Sequence, residues 1–183
     1  MINITIAGRE ACDRKAVADL LAGHNDFHIA SVGKDGYDVL DSVKKDRPDI
    51  IITDFTMTDI NCADLVPIVK RHSPSTKLIA LCSRIEDAAW DGVLGKALRA
   101  GISGCLLKQG DFDKLAASVR SVFHGGLYFS DRVKDRMPVF LKELPPQDCN
   151  NYRHCFSPTE EQIIDHIALG YKDEEIAGQL NIN

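Results

Sequence analysis

The chain predicts an α/β fold built on a doubly wound parallel sheet. Apolar runs of four to six residues alternate with helical patterns of ten to fifteen, as repeated strand–helix–strand units require. Gly101 and Gly125-Gly126 fall where the ends of two of those helices call for a left-handed residue. At 183 residues the chain holds one full domain and part of another.

In chain order, strands are expected near 2–7, 27–32, 49–53, 77–82 and 103–107, and helices near 11–22, 35–46, 62–72, 86–100 and 111–124. Ala16, Leu20 and Leu21 mark a buried stripe on the first helix; Leu115, Val119, Val122 and Phe123 mark one on the fifth. Pro67, inside the third helical pattern, predicts a late start or a kink. Right-handed crossovers then give a five-stranded doubly wound sheet over residues 1–126. From Leu127 the alternation stops. Ser130-Asp131 caps a short helix through Val133, Met137, Phe140 and Leu141, and Leu144-Pro145-Pro146-Gln147-Asp148 opens a polar linker, so that 127–156 reads as connection. At 157 a third segment starts: Ser157-Pro158-Thr159-Glu160 combines an N-cap serine, a proline at the first helical position and a capping-box glutamate. Ile163, Ile164, Ile167 and Ala168 follow at helical spacing, and a second short helix runs from Asp173 to Leu180.

Composition narrows the function classes. No stretch approaches the ~20 apolar residues that span a bilayer, and no export signal opens the chain, so a cytoplasmic protein without membrane contact is expected. Cys12, Cys62, Cys82, Cys105, Cys149 and Cys155 show no disulfide-framework spacing and read as reduced thiols. From Ser157 onward six acidic residues stand against Lys172 alone, which accounts for the whole net charge of -5; residues 1–156 sum to zero. The acidic end would repel a nucleic-acid backbone.

Two strand ends carry the chemistry. Pro48-Asp49-Ile50-Ile51-Ile52-Thr53-Asp54 delivers a carboxylate to the carboxyl edge of the sheet, and Leu106-Leu107-Lys108 delivers a cation to the same edge. A carboxylate nucleophile forms an acyl phosphate when cations neutralise the phosphoryl oxygens, and a lysine supplies one such charge. The plainer alternative makes Asp54 a loop cap and Lys108 a surface residue.

The strand ending in Asp54, the later Lys108, and Ser157-Pro158-Thr159-Glu160 with Lys172-Asp173-Glu174-Glu175-Ile176-Ala177 together resemble a NarL/FixJ-type response regulator, over almost the whole chain. The resemblance implies a flavodoxin-like receiver followed by a LuxR-type helix-turn-helix, with Asp54 as phosphoacceptor and Lys108 on the phosphoryl group. It also implies a homodimer, a sensor histidine kinase as partner, a regulatory rather than enzymatic role, and DNA as ligand of the full-length protein only. The chain stops at Asn183, where the recognition helix should begin, so an incomplete helix-turn-helix with no DNA-reading residues is expected, from truncation or as a natural remnant.

Several positions depart from the family pattern. Gly8 and Arg9 stand in place of the acidic pair that helps hold Mg²⁺, leaving Glu10, Asp13, Asp54 and the Thr56 carbonyl as candidate ligands, and no cofactor is expected. The Arg9 guanidinium either pairs with Asp54, standing where the metal would stand, or points to solvent. At the switch positions, Cys82 with neighbouring Ser83 replaces the hydroxyl residue and Cys105 the aromatic, while Thr58 and Cys62 stand where proline and glycine are usual. A thiol is a weak donor, so the ordinary relay from phosphate to the fourth-helix face is not expected. A clustering of Cys82 and Cys105, with Cys62 and Cys12 on loops above, admits either thiol sensing or simple packing. Cys149, His154 and Cys155 match no standard zinc spacing.

Overall fold

The computed structural model describes residues 1–55, 57, 59–83 and 88–142, with backbone alone at 88–91 and 138–142. In order, β1 (Ile2–Ala7), α1 (Ala11–Ala22), β2 (Phe27–Gly33), α2 (Gly36–Lys45), β3 (Ile50–Asp54), α3 (Cys62–His72), β4 (Lys77–Cys82), α4 (Ala88–Arg99), β5 (Gly104–Leu107), a 3-10 turn (Phe112–Lys114), α5 (Leu115–Phe123), β6 (Tyr128–Phe129) and α6 (Asp131–Lys142). The chain divides into two units, Met1–Leu144 and Pro145–Asn183. The expected helix-turn-helix and the linker cysteines lie outside the described residues.

The sheet is parallel throughout, in the order β2-β1-β3-β4-β5-β6. It has one strand more than expected. Tyr128–Phe129 pairs with Gly104 and Cys105, and two residues are too few to print a periodic signal in the sequence. Every residue of β3 and β5 is buried, because helices cover both faces and make strands read as continuous apolar runs. Ile52, Ile79, Leu106, Val17 and Val119 fill one layer; Ile51, Leu78, Leu65, Val66 and Leu94 fill the other.

Local signals explain the helix ends. Asp35 accepts the Asp38 amide at 3.0 Å and Asn61 accepts the Asp64 amide at 3.1 Å, capping α2 and α3. The third helix therefore starts on time at Cys62 and runs through Pro67 to His72. Gly101 and Gly125 hold φ of 85° and 88° after α4 and α5. On the edge strand β2 the pairing with β1 slips between Ile4 and Thr5. Below that bulge the hydroxyls of Thr5, Ser31 and Ser42 close a hydrogen-bonded triangle of 3.0, 2.5 and 2.9 Å.

Candidate functional site at the carboxyl edge

In a sheet of this order the chain reverses direction between β1 and β3, and the crevice outside the carboxyl ends of those two strands is where ligands settle. The end of β3 places Asp54 there, beside Gly8 and Arg9 just past β1, and β5 brings Lys108 across from the other side. Lys108 Nζ lies 2.5 Å from Asp54 Oδ1 and 2.5 Å from Asp13 Oδ2. The lysine side chain is 16% exposed, Asp54 11% and Asp13 38%, so the ammonium is the best-covered meeting point of the three charges after Asp54 itself. Burial works against the charged ammonium, but the hydrogen bonds and charges of Asp13 and Asp54 outweigh it and raise its pKa above the ordinary lysine value.

Asp54 is held from a second side by backbone. The Arg9 N–H donates to its Oδ2 at 3.0 Å, and the Gly8 Cα lies so close that a Cβ there would stand 2.8 Å from Oδ2 and 3.0 Å from Cγ. The carboxylate thus occupies room that any side chain at position 8 would need. The Arg9 guanidinium takes a different direction, bonding Glu10 at 3.1 Å in the open. Of the two readings of Arg9 the structure has the solvent-facing one, and Arg9 reaches Asp54 through its amide alone. Arg14, which no sequence pattern singles out, donates to the carbonyls of Gly8 at 2.5 Å and Arg9 at 2.9 Å and pins the loop after β1.

These residues do not fit a divalent ion. A small hard cation wants several oxygens at about 2.1 Å in near-octahedral array. Glu10 is turned to Arg9, Asp13 and Asp54 are both spent on one ammonium, and position 8 offers no oxygen side chain. Among the described residues no group of three or more His, Cys, Asp or Glu side chains converges on a metal position. Thr56 and Thr58 lie outside the described residues. Past them, Asp59 accepts the amides of Gly36 at 2.8 Å and Tyr37 at 3.3 Å, tying the loop after Asp54 to the start of α2.

At the switch positions the thiols of Cys82 and Cys105 meet at 3.0 Å, fully buried, with Ser83 exposed beside them. Cys62 shares their core layer as the first residue of α3, and Cys12 is exposed on α1; neither is on a loop. The bond to Cys82 and then burial push the Cys105 thiol up, and burial pushes Cys62 up far beyond the ordinary thiol range. A thiol so hard to ionise is a poor nucleophile and packs as a small apolar group.

The raised lysine sets an alkaline limit. The ion-pair contribution is fully present below the unfolded lysine value of 10.5 and is lost as pH rises through the higher folded value. Urea midpoints followed from neutral pH to beyond that value are expected to fall, and Lys108→Met to flatten the fall. A midpoint that declines equally in the variant assigns the alkaline limit to other groups.

The sequence pattern described as the response regulator receiver domain matches residues 4–120. The response regulator protein VraR of Staphylococcus saprophyticus is 27% identical over 169 residues, covering 92% of this chain and 77% of that protein. The transcriptional regulatory protein DesR of Bacillus subtilis is 28% identical over 182 residues, covering 100% and 82%. Among solved structures, RcsB of Salmonella enterica serovar Typhimurium bound to promoter rprA with a phosphomimetic aligns at TM-score 0.67 and 21% identity, over 100% of this chain and 85% of that one. The isolated receiver of the same protein aligns at 0.64 and 22%, over 73% and 96%.

Proposed function

The chain belongs to the response regulator receiver family, and from that premise we propose that it is a cytoplasmic regulator of transcription whose receiver works without Mg²⁺-assisted phosphorylation. In this reading the receiver acts by pairing with a second copy or by holding a DNA-binding domain that begins near residue 157. It binds and signals rather than catalyses. The observation that carries the reading is the acceptor edge itself. Lys108 is shared by Asp54 and Asp13 while Gly8 and Arg9 stand where an acidic pair would be. Cys82 and Cys105 at the switch positions support it, since two free thiols hydrogen-bonded to each other and buried offer no hydroxyl to a phosphoryl group. Relatives named as transcriptional and response regulators support the transcriptional role, and solved assemblies of RcsB described as two dimers bound to two DNAs support pairing and DNA as partners.

A second reading, a receiver phosphorylated on Asp54 by a sensor histidine kinase, draws on the Asp54–Lys108 contact, which is the pair a phosphoryl group needs. Intact mass after incubation with acetyl phosphate and Mg²⁺ separates the two. No adduct above background is expected. A stoichiometric phosphate adduct that vanishes in Asp54→Ala would establish the second reading and sink the first.

A further inference from the structure

Asp13 enters the site from the first turn of α1, 95 positions away from the lysine it binds. Two carboxylate oxygens that each stand 2.5 Å from one nitrogen lie at most twice that distance apart and face a common centre. Two acids so placed repel one another unless a cation stands between them. In a site with a dissociable ion, solvent would supply that cation. Here the protein supplies it, on a side chain that is largely covered, anchored at the end of a fully buried strand.

We propose that Asp13 and Lys108 form a built-in cation clamp: the ammonium of Lys108, fixed by Asp13 from α1 and by Asp54 from β3, fills the place between the two carboxylates and keeps divalent ions out. Asp13 is then a positioning residue. It replaces neither acid of the missing pair as a metal ligand; it holds the lysine on Asp54 and keeps the edge in one charge state. The proposal rests on the metal-independent reading above and names the device behind it. The Gly8 backbone belongs to the same device, because the absence of a side chain there lets the Asp54 carboxylate lie against β1, where the Arg9 amide holds it.

The clamp makes an unusual demand of mutagenesis, that deletion of a cation creates a metal site. Lys108→Met removes the charge and leaves Asp13 and Asp54 facing each other across an open centre. Titration of the whole chain with Mn²⁺, following free ion by its electron paramagnetic resonance signal, is expected to show no stoichiometric binding by the parent protein up to ~1 mM, and one site in Lys108→Met tighter by at least about tenfold. The gain is expected to disappear in Asp13→Asn/Lys108→Met. Lys108→Gln serves where the methionine variant does not fold, as judged by circular dichroism. Stoichiometric Mn²⁺ binding by the parent protein, no gain in either lysine variant, or a gain that survives Asp13→Asn would each overturn the clamp. Acetyl phosphate with and without chelator distinguishes this failure from failure of the parent reading. A phosphate adduct formed in chelator ends phosphorylation independence alone, and one that needs Mg²⁺ ends both.

Discussion

Ile52→Ala is expected to cost the receiver unit about 2–5 kcal/mol. Ile52 is wholly inaccessible to solvent. It pairs with Ile6 on one side and Ile79 on the other, in one of the two middle strands of the sheet. Neighbours fixed by two flanking strands cannot collapse into the space left behind, so the loss includes a cavity contribution as well as the transfer of the missing methyl groups. Urea unfolding with an unchanged slope is the measurement. Ile52→Val, one methylene smaller, should lose only about 0.5–1.5 kcal/mol. Equal losses in the two variants would mean that the site relaxes, against the packing described. Because Ile52 lies two residues before Asp54, the same variant reports how firmly the Asp54 carboxylate is mounted.

Gly104→Val is expected to cost about 1–3 kcal/mol and to strip the sixth strand from the sheet. A Cβ at this position would stand 2.8 Å from the Tyr128 carbonyl oxygen and 3.4 Å from Ile79. The first of those is backbone, which cannot swing aside as a side-chain tip can. The Tyr128 amide donates to Ser103 and the Ser130 amide to Cys105, both at 3.0 Å. Hydrogen exchange at those two amides should therefore accelerate well beyond that of the β3–β4 pairs. Unchanged protection there would show that the strand slides rather than detaches. The first turn of α6 hangs on the same bonds, since Ser130 accepts the amides of Val133 and Lys134. The variant thus loosens the element that leads out of the receiver unit.

The sheet was legible because its strands are covered on both faces, so Ile50-Ile51-Ile52 and Leu78-Ile79-Ala80-Leu81 announce themselves without alternation. Asp54 and Lys108 were legible for a related reason: a charge at the end of an apolar strand has one edge to go to. Tyr128–Phe129 was not, because its strand character comes from a partner across the sheet rather than from its own two residues. Asp13 was visible as a nearby acid, but its partner is a lysine 95 positions further along the chain, which no local pattern encodes. In the sequence Arg9 shows only a guanidinium with two possible directions. Its contribution to Asp54 is an amide that any residue but proline would carry. Arg14 is silent in the sequence for the converse reason: its partners are carbonyls, and carbonyls have no sequence signature.

The slip in register between Ile4 and Thr5 has a bearing on how copies of this chain can meet. A sheet exposes unpaired amides and carbonyls along its two outer strands, and an intruding strand needs a straight run of them. On one side β2 is bent by its bulge and braced from within by the Thr5–Ser31–Ser42 hydroxyls. On the other, β6 ends after two residues and turns directly into a helix. The seven residues of β2 keep only three paired positions on either side of the bulge, and β6 has two residues in all. Both borders of the described sheet therefore interrupt the straight run that growth by strand addition, the route to open-ended aggregates, requires.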